Sequence, residues 1–282
     1  MLPSHLNRYF EDRFKIREAT SIGGGCINDC YKLDTSTGIY FIKLNSAVTY
    51  PGMFEAEKKG LELLASTNTM PIPKILETGE VNGTSFLLME FIETGKPAKD
   101  TMLNFGRNLA ALHRHSSGHY GLEYDNYIGS LPQYNQIKDS WGDFFIRMRL
   151  LPQLKLAKDL VSFFILDFEN LFSKMDSLFP DERPALLHGD LWNGNYIVNT
   201  KGDACLVDPA AYYGHREMDI AMTKLFGGFT NEFYEGYNEV YPLESGWRSR
   251  IDLCNLYPLL VHVNLFGDSY VKQVKKCLKK YV

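Results

Sequence analysis

The sequence has no apolar run approaching the roughly 18 residues that cross a bilayer. Its first residues, MLPSHLNRYFEDRFK, lack the basic-then-apolar pattern of a secretory signal. Positive charge is not in excess: 30 Lys and Arg against 34 Asp and Glu leave a net charge of −4. That balance excludes a general attraction to nucleic acid or to anionic membranes. The one basic cluster, KQVKKCLKK, reads as the polar face of a last helix. Five cysteines (26, 30, 205, 254 and 277) are odd in number and form no C-x-x-C, so no disulfide framework is expected. A reduced, cytoplasmic protein is the reading that follows. Internal repeats, low-complexity tracts and a G-x-x-x-x-G-K-[ST] phosphate loop are all absent. What is present is ordinary globular composition, 45% hydrophobic and 23% charged, over 282 residues, enough for one large or two modest domains.

The most informative segment is LLHGDLWNGNYIVNTKGDACLVDP, residues 186–209. It places Asp190, then Asn195 five residues on, then Asp208 thirteen beyond that. Phosphoryl transfer from ATP needs a carboxylate beside the attacking hydroxyl and oxygen ligands for the magnesium that bridges the phosphates. A D-x-x-x-x-N loop followed by an aspartate on the next strand supplies both in kinase order. Two short strands, IVN and CLVD, must turn between Asn195 and Asp208 to bring the three together. Asp190 is the candidate catalytic base; Asn195 and Asp208 are the candidate Mg2+ ligands.

Strand signals dominate the first ninety residues. FKIREAT, CINDCYKLD, GIYFIKLN, KILETG and TSFLLMEFI are rich in β-branched and aromatic residues, and Val81-Asn82-Gly83 forms a turn between the last two. FEAEKKGLELLAS carries apolar residues at helical spacing (Phe54, Leu61, Leu64) and ends before Pro71 and Pro73. From about Lys99 the period becomes helical, with the strands of the 186–209 segment embedded in it. The fold expected is α+β, a two-lobe protein-kinase-like fold. A small antiparallel β-sheet lobe (residues 1–92) would bind nucleotide, and a larger, mainly helical lobe (93–282) would carry the catalytic loop and the acceptor.

Other candidates follow from that layout. Lys43, in YFIKL, stands where a kinase lysine contacts the α- and β-phosphates. Glu57 is its proposed partner because it precedes the apolar Leu61 and Leu64 by one and two turns; Glu55 is the alternative. Gly23, Gly24 and Gly25 join two strands and allow backbone N–H groups to approach phosphates. Met89, Glu90, Phe91 and Ile92 end the small lobe, where backbone groups meet adenine. His188 braces the loop, and Asp219 holds it from the start of a helix. Trp192 is either a face for a sugar ring or core. His262 either reaches the acceptor pocket or is a satisfied core histidine. The histidines of HRHSSGH (113, 115 and 119) lack acidic or thiolate company and read as surface or capping residues.

With GGGCIN, FEAEKKGL, DNYIGS, WGDFFIRMRLLPQL, LLHGDLWNGN, DPAAYYGHREMDIAMTKLFGGF and VNLFGDSY in view, the sequence resembles the fructosamine-3-kinase (ketosamine-3-kinase) family nearly end to end. That family lies within the wider aminoglycoside-phosphotransferase-like kinases. The resemblance implies ATP- and Mg2+-dependent phosphorylation of the 3-hydroxyl of a ketosamine, free or on a glycated protein lysine. A monomer or weak homodimer is expected. The Arg of HRD, the Phe-Gly of DFG and A-P-E are absent, so activity without activation-loop phosphorylation is expected. Cys26, in the glycine-rich loop, is expected to be open to oxidation.

Overall fold

The structure, a computed structural model, describes residues 2–23 and 27–282. Gly24, Gly25 and Cys26 lie outside the described residues, and with them most of the expected phosphate-covering loop and the proposed oxidation site.

The first part of the chain is a five-stranded antiparallel sheet, β1 (Ile16–Ser21), β2 (Asp29–Thr35), β3 (Ile39–Ser46), β4 (Ile75–Val81) and β5 (Thr84–Glu90), in the order β1-β2-β3-β5-β4. Asn82 and Gly83 turn between β4 and β5 with φ of +51° and +77°, the left-handed pair that a two-residue hairpin requires. Helix α2 (Met53–Ser66) buries Phe54, Leu61 and Leu64, and Phe54 and Leu61 pack with Leu87 and Met89 of β5, which lies between β3 and β4. The opposite face of the sheet is closed by α1 (Ser4–Phe10), which the sequence reading did not anticipate. Its Leu6 and Phe10 cluster with Leu33, Leu44 and Phe86.

The rest of the chain is mainly helical. α3 (Thr101–His113) is followed by a two-strand hairpin, β6 (Asn126–Ile128) and β7 (Leu131–Gln133). Helices α4 (Trp141–Phe144) and α5 (Leu151–Leu156) are joined through the π-helical turn Phe145–Leu150; α6 (Lys158–Val161) and α7 (Ile165–Leu178) complete this arm. Four short strands come next, β8 (Ala185–Leu187), β9 (Tyr196–Val198), β10 (Ala204–Leu206) and β11 (Tyr212–Gly214), pairing β9 with β10 and β8 with β11. The chain ends in α8 (Glu217–Leu225), α9 (Asn231–Val240), α10 (Trp247–Cys254), α11 (Leu256–Phe266) and α12 (Val271–Leu278). No helix among the described residues is long and apolar enough to cross a membrane.

Candidate active site

The loop after β8 is built from backbone donors aimed at one buried carboxylate. Asp219 of α8, 1% exposed, accepts from His188 N at 2.7 Å and from Gly189 N at 2.9 Å. Burial alone would raise the Asp219 carboxyl, but donation from His113 and the neighbouring His188 hold it below its usual range. Gly189 has φ +84°, and a Cβ there would lie 2.1 Å from the carbonyl oxygen of Ala210. Glycine is therefore required twice over, by dihedral and by space. The His188 ring stitches two segments: Nδ1 accepts from Asp190 N at 3.2 Å and Nε2 donates to Val207 O at 2.9 Å. It is fully buried, and that burial lowers its pKa. A neutral ring with one accepting nitrogen suits a brace.

Pairing of β9 with β10 sets Leu206 opposite Tyr196, and Val207 N then donates to Asn195 O at 3.1 Å. Asn195 Nδ2 donates both to Asp190 O at 2.8 Å and to Asp190 Oδ2 at 2.9 Å. Burial, only partly offset by that hydrogen bond, pushes the Asp190 carboxyl up to about 7. Asp208 was expected on a strand. It stands instead two residues past β10, with φ +55°, a left-handed conformation rare outside glycine. That bend turns its carboxylate toward the sheet: Oδ1 lies 2.5 Å from Lys43 Nζ.

Lys43 is itself 3% exposed and also meets Glu57 Oε1 at 2.7 Å. Burial would lower its pKa, but the two carboxylates outweigh that and raise it, so the amine is charged. Glu55, the alternative partner, instead accepts a hydrogen bond from the Thr78 hydroxyl.

Two cavities meet at this junction, and both are lined by Asn28 and Asp208. The larger, about 340 Å³, runs from Lys43 past Cys30, Phe41 and Val207 to Met89, Glu90, Phe91 and Ile92, with Gly23 at its edge. The smaller, about 200 Å³, holds Asp190, Trp192 and Asn195. Its far wall is the β6–β7 hairpin, through Asn126, Tyr127 and Gly129. The Tyr127 hydroxyl donates to Pro51 O at 3.0 Å, tying the hairpin to the segment that precedes α2.

His262 does not line the smaller cavity. Its Nδ1 is 2.7 Å from Pro258 O, and its ring packs among Phe226, Phe266 and Tyr270. Phe226 stands between it and Trp192, with ring centroids 5.0 and 6.0 Å away. The expected reach of His262 into the pocket is thus corrected: one aromatic ring intervenes. A second correction concerns His113, read as a surface or capping residue. It is 2% exposed and lies 3.2 Å from Asp219 Oδ2. The hairpin wall and Phe226 were missed; DNYIGS, a three-residue strand with a turn glycine, was the only available signal for the first.

The donor set suits magnesium. Asn195 uses its amide nitrogen on Asp190, leaving Oδ1 without a hydrogen bond among the described residues, and Asp208 is half exposed where the cavities join. No three His, Cys, Asp or Glu side chains gather into a metal cage among the described residues. One carboxylate and one amide oxygen suit a hard ion that keeps phosphate oxygens and water as its other ligands.

Comparison with known proteins matches residues 2–282 to the fructosamine kinase family. A probable ketoamine kinase of Synechocystis is 44% identical over 270 residues, covering 95% of this chain and 91% of its own. The chloroplastic protein-ribulosamine 3-kinase of Arabidopsis thaliana is 38% identical over 275 residues, covering 95% and 83%. A crystal structure assigned to the fructosamine-3-kinases, from Thermobifida fusca, superposes with a TM-score of 0.86 at 34% identity, over 99% of this chain and 98% of that one.

Proposed function

The chain belongs to the fructosamine kinase family, and from that premise we propose that it transfers the γ-phosphate of ATP to the 3-hydroxyl of ketosamines, the sugar adducts of amines and of protein lysines. The observation that carries the reading is the meeting of the two cavities at Asp208, with charged Lys43 on one side and the Asp190–Asn195 pair on the other. The larger cavity takes ATP, its adenine against the backbone of Met89–Ile92 and its phosphates toward Lys43. The smaller takes the sugar, and Trp192 offers it an apolar face.

Asp190 accepts a hydrogen bond from the acceptor hydroxyl and orients it for in-line attack on the γ-phosphorus. The hydroxyl oxygen forms the new P–O bond, the bond to the β-phosphate oxygen breaks, and the hydroxyl proton passes to Asp190. A carboxyl pushed up to about 7 is well matched to that transfer near neutral pH. Asn195 restricts Asp190 to one orientation, and Lys43, aimed by Glu57, meets the α- and β-phosphates. Asn195 and Asp208 would hold Mg2+, which when bound supplies charge neutralisation along the phosphates.

A 3-phosphorylated ketosamine eliminates readily and frees its amine, so the proposed consequence is deglycation. Dependence on ATP makes the cytoplasm the proposed compartment. The test is mass spectrometry of fructosyl-lysine and ribulosyl-lysine incubated with the protein and Mg-ATP, beside an aminoglycoside, choline and homoserine. A gain of one phosphoryl group on the ketosamines supports the reading. Transfer only to one of the other alcohols overturns it.

A further inference from the structure

Behind the catalytic loop lies a buried hydrogen-bonded chain that the proposed reaction does not use directly. His113, the last residue of α3, places Nε2 3.2 Å from Asp219 Oδ2 and Nδ1 2.7 Å from the Tyr237 hydroxyl of α9. Both partners are at most 1% exposed. An ionised carboxylate only accepts, so Nε2 carries a proton, and Nδ1 and the Tyr237 hydroxyl hydrogen-bond to each other. Asp219 Oδ2 is shared: the same oxygen accepts from His188 N at 2.7 Å.

We propose that His113 is a positioning residue for phosphoryl transfer, holding the orientation of Asp219 and through it the turn that presents Asp190. The side chain of Asp219 has one rotatable bond that decides whether its two oxygens face the successive N–H groups of His188 and Gly189. Those groups fix one plane of contact, but the carboxylate can still tilt about the axis they define. A third donor from a different direction removes that freedom, and Tyr237 in turn fixes the imidazole. The consequence reaches both functional aspartates. The His188 ring accepts from Asp190 N and donates to Val207 O, next to Asp208, so a tilt at Asp219 is transmitted to both. Misplacement by about 1 Å at a reacting group can cost on the order of 100-fold in rate.

This inference rests on the reading of Asp190 as the group that orients the acceptor hydroxyl, so Asp190→Ala is measured in parallel. In His113→Leu both ring nitrogens are lost; in His113→Gln an amide donor remains near the Nε2 position. With a ketosamine and Mg-ATP, kcat is expected to fall about tenfold or more in His113→Leu, to stay within about threefold in His113→Gln, and KM for ATP to change little in either. Surface His119→Ala serves as the unaffected control. Hydrogen exchange followed by mass spectrometry gives a readout independent of turnover: the peptide over residues 186–195 should lose protection in His113→Leu while the β1–β5 sheet keeps it. Parent-like kcat, or uniform loss of protection across the whole chain, would overturn the positioning role. If Asp190→Ala also turns over at the parental rate, the reading of Asp190 fails first, and the exchange result still judges His113.

Discussion

At the scale of single residues, Asp190 carries two linked expectations. Its carboxyl is pushed up to about 7, with burial as the main cause. In the proposed mechanism the ionised form accepts the hydroxyl proton, so kcat/KM for the acceptor should fall about tenfold per pH unit below about pH 7. The sign for stability is opposite. An unfolded aspartate titrates near 4, so between there and about 7 the folded state holds the proton more tightly. Above pH 7 the folded protein bears the full cost of a confined anion. Asp190→Asn removes that cost and still accepts from Asn195. It should raise stability by about 1–2 kcal/mol at pH 8 for a part-exposed carboxyl, with the gain shrinking at pH 5. Asp190→Ala should lower turnover by about two to four orders of magnitude with nucleotide binding retained. A melting curve for Asp190→Asn that matches the parent at both pH values would contradict the assigned cause. The spacing of Asp190, Asn195 and Asp208 was readable from sequence because hairpin pairing of two three-residue strands leaves few ways to arrange them. Burial was not, and burial is what moves the carboxyl and what hid His113 behind a polar-looking HRHSSGH.

At the scale of elements, the contact between α3 and α9 rests on two glycines that no motif or spacing singles out. A Cβ on Gly106 of α3 would lie 1.9 Å from Phe233 O, and one on Gly236 of α9 would lie 2.0 Å from Leu103 O. Each helix therefore lays its backbone against the other's glycine, an approach that any side chain would block. This crossing brings His113 and Tyr237, one from each helix, to 2.7 Å. Gly236→Ala should destabilise the fold by about 1–3 kcal/mol through overpacking, even though alanine is the better helix former. Thermal denaturation checks this, and a raised melting temperature would show that the helices part freely. Periodicity located α3 because its apolar stripe repeats at 3.6 residues. It missed α9, a ten-residue helix whose buried face is carried by Phe233, Tyr234 and Tyr237 among acidic neighbours rather than by aliphatic residues. It also missed α1 and the β6–β7 hairpin, which are short and stabilised by what they pack against rather than by their own pattern.

At the scale of the molecule, the two-lobe α+β arrangement was legible from the change of hydrophobic period near Lys99, while the way the two parts meet was not. Among the described residues, one ion pair joins the sheet to the helical part, Lys43 to Asp208, with Glu57 behind it. Asp208 thus has two tasks: it neutralises a buried lysine, and it lines the place where both cavities open. Asp208→Ala should separate these tasks by ligand. On the proposed reading, nucleotide without Mg2+ would meet the cleft chiefly through Lys43 and the Met89–Ile92 backbone, so its stabilisation of the protein should survive. Mg-ATP at about 100 times its Kd should stabilise the parent by about 2.7 kcal/mol. In Asp208→Ala the increment that Mg2+ adds over nucleotide alone should largely vanish, because Asn195 is then the only proposed protein ligand left. Melting temperatures with ADP or ATP, with and without Mg2+, give the comparison. If the Mg2+ increment persists in full, Asp208 is not a metal ligand, and its left-handed bend serves Lys43 alone.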